Sequence, residues 1–203
     1  MKATQMLENH SEWQKFKLGE LFSVQKTKSF NKNSLVPIDK EKYPYVTRTS
    51  KNNGIESYTG FVNERNLNEA NTFSLGLLQM DAFYQTQKWY AGQYVRKLIP
   101  KQKYNVKCAL YFQTIFEKLK PTFLSVLIRD FDKTFVNIEI DVPMKNDKID
   151  FKFMEKYINQ LEADRIQELE AYLNATGLTN YDLTNEELAT LDKFKNGGYI
   201  GRH

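Results

Sequence analysis

Along most of this chain the apolar positions fall into short, alternating runs, and near the end they change to a helical period. Residues 1–12 are polar and read as a flexible leader. Trp13-Gln14-Lys15-Phe16-Lys17-Leu18 alternates as a half-buried strand does. After Gly19, the run Glu20 to Val24 is a short helical turn or a second strand. Further strands are expected at Tyr43–Val46, Ile55–Val62 and Asn71–Leu78. Ala82–Gln85, Trp89–Ala91 and Tyr94–Ile99 complete that set, the last ended by Pro100. Val106 to Leu119 has apolar residues at helical spacing, with Pro121 as its stop. Strands are expected again at Phe123–Ile128 and Thr134–Val142. The pattern predicts a mixed α/β (α+β) body of many short strands over residues 13–143.

From Pro143 the period changes. Residues 144–203 read as a separate region with a long helix over about 150–175, capped by Asp150 and stopped by Gly177. Phe151, Met154, Ile158, Leu161, Ile166, Leu169 and Leu173 share one stripe of that helix. At ~24 residues it would be ~36 Å long, more than its own short polar tail can cover. The stripe is therefore expected to meet a second long helix, from another molecule. Leu178 to Phe194 is expected to form a turn and a short helix, with Thr184 as cap and Glu187 at the capping-box position.

Between the strands lie two polar loops. Tyr43-Pro44-Tyr45-Val46 opens into Thr47-Arg48-Thr49-Ser50-Lys51-Asn52-Asn53-Gly54, nearly all hydrogen-bonding side chains. Pro44 suits a strand start or an edge, and Asn53-Gly54 is a turn signal. Arg and Lys read guanine edges, Asn reads adenine, and Thr or Ser serves a base or a phosphate. Arg48, Thr49, Ser50, Lys51 and Asn52, with Gln87 on a later turn, are the candidate base-facing residues. The loop Gln25 to Ser34 carries Lys26, Lys28 and Lys32, which with Lys88 are candidate phosphate contacts. Gln85 is a further side chain within reach of a groove. For each loop the bland alternative is an ordinary solvated surface.

Charge sharpens this division. The net charge is only +4, but Lys88 to Lys120 holds eight basic residues against one acid, Glu117. Asp150 to Asp192 holds ten acids against three bases, so body and tail face different partners. No apolar run is long enough to span a membrane and the N-terminus lacks a signal-peptide core, so a cytoplasmic protein is expected. The one cysteine, Cys108, lies in an apolar run and reads as a core thiol. The histidines, His10 and His203, sit at opposite ends, which argues against histidine catalysis or a zinc site. Neither a dinucleotide-binding glycine motif nor a P-loop occurs, so no cofactor is expected.

Several segments resemble, in order, the specificity subunits of type I restriction–modification systems and the related type IIB, BcgI-like enzymes. They are W-x-x-F-K-L-G-E-L-F from Trp13 to Phe22, P-Y-V-T-R-T-S-K-N-N-G from Pro44 to Gly54, and Phe83-Tyr84-Gln85 followed by Trp89-Tyr90-Ala91. D-F-K-F-M-E-K-Y-I-N-Q-L from Asp150 to Leu161 follows, then Glu168 to Leu173 and Ala175-Thr176-Gly177-Leu178. The resemblance implies a DNA target recognition domain at 13–143 and a conserved spacer helix that pairs in a coiled coil. It implies a non-catalytic subunit that reads half of a split double-stranded DNA site. Its partners would be adenine methyltransferase subunits, with a restriction subunit as a further one. Met154, Ile158, Leu161, Ile166, Leu169 and Leu173 would form the seam of a homodimer.

This chain has one recognition domain and one spacer, where full subunits of that family have two of each. A natural half-subunit and a piece of a longer subunit both fit. Two other function classes remain: a helical adaptor whose body binds protein, and a metal-dependent nuclease using Asp130, Glu139 and Asp141.

Overall fold

The computed structural model describes residues 2–178 together with 185, 186 and 188, and the tail turn and helix expected at 178–194 fall almost wholly outside them. The chain divides into two compact units, Met1–Gln160 and Leu161–His203. In the first unit a short helix α1 (Ala3–Asn9) precedes β1 (Trp13–Lys17), a helical turn α2 (Leu18–Leu21) and β2 (Phe22–Lys26). Then come β3 (Tyr43–Val46), β4 (Ile55–Thr59), β5 (Leu67–Asn68), β6 (Thr72–Gly76), β7 (Ala82–Gln85), β8 (Trp89–Ala91) and β9 (Val95–Pro100). Helices α3 (Val106–Leu124) and α4 (Phe131–Asn137) lead to β10 (Glu139–Lys145) and β11 (Lys148–Ile149). The last described helix, α5 (Phe151–Thr176), begins in the first unit.

The strands make three sheets, ordered β1-β10-β11, β2-β9-β6-β7 and β4-β3-β8-β5. All pairings are antiparallel except β3 with β8. The second sheet, with α3 and α4, builds a core of phenylalanines. Phe22 is its hub, with edge-on rings at 5.9 Å (Phe73), 5.2 Å (Phe112), 5.3 Å (Phe116) and 6.4 Å (Phe135). Edge-to-face rings at these spacings add to the burial energy. The third sheet has its own tyrosine core of Tyr43, Tyr45 and Tyr90. Trp89 ties the two sheets together, its indole N–H donating to Thr72 Oγ1 at 3.0 Å.

Along the body the structure differs from the sequence reading in several elements. The leader is helical at Ala3–Asn9, about two turns, and docks by burying Ala3 and Met6, which stand three apart on one face. β1 is a strand as expected, but only Phe16 is even half-buried. Its backbone pairs with β10, and its Trp13 ring meets His10 and Phe153 edge-on at 5.1 and 6.1 Å. Helix α3 runs through Pro121 to Leu124. The proline costs one backbone bond in the last turns, and the fully buried Phe123, packed on Phe131 and Phe135, holds the helix past it. No strand forms at 123–128, and the expected strand at 134–142 begins as α4. Its Phe131 and Phe135 stand one helical turn apart, and both are fully buried in the phenylalanine core.

Other expectations hold. Asp150 Oδ1 accepts the Phe153 N–H at 2.9 Å at the start of α5. At its end Gly177 has φ +71° and the Leu178 N–H donates to the Leu173 carbonyl at 3.0 Å, a Schellman stop. Cys108 is buried, donates to the Phe151 carbonyl at 3.3 Å, and burial pushes its thiol up to about 11. That is a core thiol, not a nucleophile. Among the described residues no helix is long and apolar enough to cross a membrane.

Candidate nucleic-acid interface

β3 sits between β4 and β8, and all four of its residues are buried. Pro44 is therefore in a central strand rather than at an edge. Its missing N–H is tolerated because the pairing with β8 starts only at Tyr45. The strand delivers the polar loop 47–54, which closes on itself through Thr47 N–H to Gly54 O (2.8 Å) and Gly54 N–H to Lys51 O (3.0 Å). Asn52, Asn53 and Gly54 take φ of +49°, +52° and +77°, a left-handed run that asparagine and glycine tolerate best. The expected Asn53-Gly54 turn is present and one residue longer.

Several loop side chains are spent holding the loop. Thr49 Oγ1 accepts the Lys51 N–H at 3.2 Å, and Asn52 Nδ2 donates to the Ile55 carbonyl at 3.1 Å. The Ser50 hydroxyl donates to Asp81. These three were expected to face bases; their hydrogen bonds run within the loop and to Asp81, while Ser50 and Asn52 are still exposed. Gln85, read as a residue within reach of a groove, is buried and donates to the Asn53 carbonyl and to Ser74 Oγ, both at 3.0 Å. Gly76 lies so close that a Cβ there would stand 2.8 Å from the Cα of Arg48. The loop is thus fixed from below, and Arg48 and Lys51 remain exposed at its surface. Arg48 also lies over the Tyr94 ring, 5.6 Å from its centroid.

Beside Arg48 opens a polar cleft of about 230 Å³, lined by Asn31, Lys32, Thr47, Arg48, Glu56 and Gln93 among others. It brings the first polar loop to the second. The Tyr45 hydroxyl donates to Phe30 O at 2.8 Å, the Phe30 N–H to Ala91 O at 3.2 Å, and Gln93 Nε2 to Asn31 Oδ1 at 3.0 Å. Lys32 Nζ stands 2.8 Å from Glu56 Oε1. The Lys32 hydrogen bond holds the Glu56 carboxyl below the usual range, against a smaller opposing effect of burial; Thr47 and Arg48 add to the lowering. Lys32, a candidate phosphate contact, thus shares its charge with Glu56 while its side chain stays exposed at the cleft. The Tyr45 phenol is raised by burial and by the nearby Glu56 charge.

Lys26, the last residue of β2, and Lys28 are exposed on the chain leading to this cleft. Asn66 Nδ2 pins the segment by donating to Lys28 O at 2.7 Å. Gln87 and Lys88 are exposed on the β7–β8 turn and do not line the cleft. The basic run 88–120 carries less unpaired charge than its count implies. Arg96 is bound to Asp132 (2.7 Å), Lys97 to Glu69 (2.5 Å), and Lys120 to Asp81. The sequence reading missed Asn31, Glu56, Gln93 and Tyr94. Glu56 had one faint signal, an acid at an outward position of a strand. The others are set by pairings distant in sequence.

The candidate nuclease acids do not make a centre. Asp130 lies in a 3-10 turn, while Glu139 and Asp141 are exposed on β10, with Asp141 3.3 Å from Lys15. Among the described residues no three His, Cys, Asp or Glu side chains are grouped to hold a metal. In α5, Met154 and Ile158 are 0% and 3% exposed within the first unit. The chain's own core therefore takes them from the expected intermolecular seam. Tyr157, not in the predicted stripe, packs edge-on against Tyr111 at 5.6 Å. In the second unit Ile166 and Leu169 are 58% and 56% exposed.

The mixed body thus brings two polar loops to one cleft. The family model for the type I restriction modification DNA specificity domain matches residues 10–171, and the chain belongs to that family. Solved structures share the fold. The HsdS subunit from Thermoanaerobacter tengcongensis matches with TM-score 0.59 at 14% identity, over 94% of this chain and 49% of that one. The S subunit of a type I restriction–modification system from M. genitalium matches with TM-score 0.51 at 17% identity, over 85% and 44%. A chain from a structure of type I restriction–modification complex assembly and conformational transition matches with TM-score 0.57 at 15% identity, over 94% and 50%. This chain thus spans about half the length of these proteins. No curated protein sequence matches it.

Proposed function

We propose that this chain is a DNA sequence-recognition subunit of a restriction–modification complex. It reads half of a bipartite site through its 13–143 body, and it docks adenine methyltransferase subunits, which hold the catalysis. The observation that carries this reading is the fixed loop 47–54, which presents Arg48 and Lys51 to solvent beside the polar cleft while Thr49, Ser50 and Asn52 hold its shape. A pre-organised loop that exposes guanine- and phosphate-binding groups suits groove readout. Equilibrium binding of the purified chain to duplex DNA between 50 and 200 mM salt tests it. Log K is expected to fall linearly with log salt, with one sequence preferred over random duplex. Salt-insensitive binding with no preferred sequence would move the reading to a protein-binding adaptor.

The spacer part of the reading rests on the apolar side chains that α5 exposes beyond Gln160. Two such helices pair as a coiled coil, giving a homodimer in the cytoplasm that reads an inverted repeat and can take up a restriction subunit. Leu161, Ile166, Leu169 and Leu173 form the seam, without Met154 and Ile158. Sedimentation is expected to give about 48 kDa, twice the 23.9 kDa of one chain. Leu169→Asp should return it to a monomer, because the new charge would be buried in the seam. A variant that stays dimeric places the interface elsewhere.

A further inference from the structure

Asp81 is a carboxylate with only 7% exposure, at the end of the β6–β7 turn, and it is absent from the set of groups that face solvent around loop 47–54. One of its oxygens accepts from the Ser50 hydroxyl in the middle of that loop, and the other from Lys120 Nζ near the C-terminal end of α3. Its backbone is fixed as well: its carbonyl accepts the Gly76 N–H at 3.0 Å, and the Met80 N–H donates to Gly76 O at 2.7 Å. Gly76 is the residue whose missing Cβ leaves room for the Arg48 backbone. Three elements far apart in sequence, the loop, the β6–β7 turn and α3, therefore meet on one buried carboxylate.

We propose that Asp81, held by Lys120, is a positioning residue for sequence readout: through Ser50 it fixes where loop 47–54 presents Arg48 and Lys51, without touching DNA itself. The inference rests on the DNA-recognition reading above. Asp81 can serve this way because a buried carboxylate needs its hydrogen bonds and its counter-charge satisfied together, so the pair has one low-energy geometry. Lys120 is drawn inward, its side chain 25% exposed, and its pKa is raised mainly by the hydrogen bond it donates to Asp81. Glu117 also approaches Lys120, at 3.9 Å, from the adjacent turn of α3. Lys120 is thus a member of the charge run whose positive charge is spent on the loop's foundation.

The test uses the whole 203-residue chain and a duplex selected by the wild-type protein from a random-sequence library. Binding to that duplex and to its single-base variants is measured for wild type, Lys120→Met, Ser50→Ala and Asp81→Asn. Lys120→Met is the decisive variant, since it removes a basic residue from the body. A phosphate-contacting lysine would lower the salt slope by about 0.9 when lost, equally for all sequences. A positioning lysine leaves that slope unchanged and reduces discrimination between the selected duplex and its variants by about tenfold, the scale of one base contact. Ser50→Ala should do the same, and the double variant should lose little more than either single one, because both act through Asp81. Thermal unfolding of each variant separates this from loss of fold, and the comparison is made where all are folded. Discrimination unchanged in Lys120→Met and Ser50→Ala overturns the inference and leaves the DNA reading intact. A wild-type chain that enriches no sequence overturns that reading itself.

Discussion

Replacing Lys26 and Lys28 by alanine will weaken DNA binding about equally for every sequence and will flatten its salt dependence. Each phosphate contact contributes about 0.9 to the slope of log K against log salt, so the pair should lower it by about 1.8. Both lysines are exposed on the segment that leads into the cleft, and neither has an ion pair among the described residues, unlike Lys32 with Glu56. Adding Arg48→Ala should act differently. Its guanidinium is exposed beside the cleft on a loop anchored from below, and a lost guanine contact costs about 1–3 kcal/mol at one base position. The triple variant is thus expected to show both a shallower slope and a relaxed preference at one position. Titration of the wild-type-selected duplex and its single-base variants over a salt series reads both quantities. Unchanged slope and preference in the triple variant would move the DNA-facing surface away from this cleft.

Phe22→Ala should have the largest effect on stability, lowering it by about 3–5 kcal/mol. Phe22 is 1% exposed and meets four other phenylalanine rings, from the second sheet, α3 and α4. Deleting the ring removes its transfer energy and leaves a cavity that helices from two sides cannot close. For a chain of this size that corresponds to a fall in melting temperature of roughly 6–20 °C. Ile38→Ala, at a residue 50% exposed, is the control and should shift stability by less than about 0.5 kcal/mol. Equal melting temperatures for the two variants would remove Phe22 from the centre of the core.

Some of this was legible along the chain because its cause is local. Short apolar and aromatic runs bounded by polar loops gave β3, β7, β8 and β9, and β3 and β8 are buried along their whole length, as a continuous apolar run signals. Asp150 and Gly177 bracketed α5 because a helix end must satisfy its own backbone groups. The left-handed turn at the end of loop 47–54 followed from Asn53 and Gly54. Local rules also misled where tertiary contacts outweighed them. Pro121 marks a helix stop by its chemistry, but the burial of Phe123 against α4 carries α3 past it. Phe131 and Phe135 lie in a run that resembles a strand until their shared helical face meets the core.

The candidate site divides the same way. Residue types and order alone determined that loop 47–54 is polar, that Arg48 and Lys51 belong to it, and which family the chain resembles. Only the tertiary structure decided which of those side chains face outward. Ser50 is committed to Asp81, 31 positions later, Lys32 to Glu56, 24 positions later, and Gln85 to a loop 32 positions earlier. Likewise the stripe on α5 was readable from its period, but the burial of Met154 and Ile158 is decided by the core of the first unit. A polar or apolar side chain declares what it can bind through its chemistry. Which partner it takes is settled by distance in space, and residues remote in the chain set that distance.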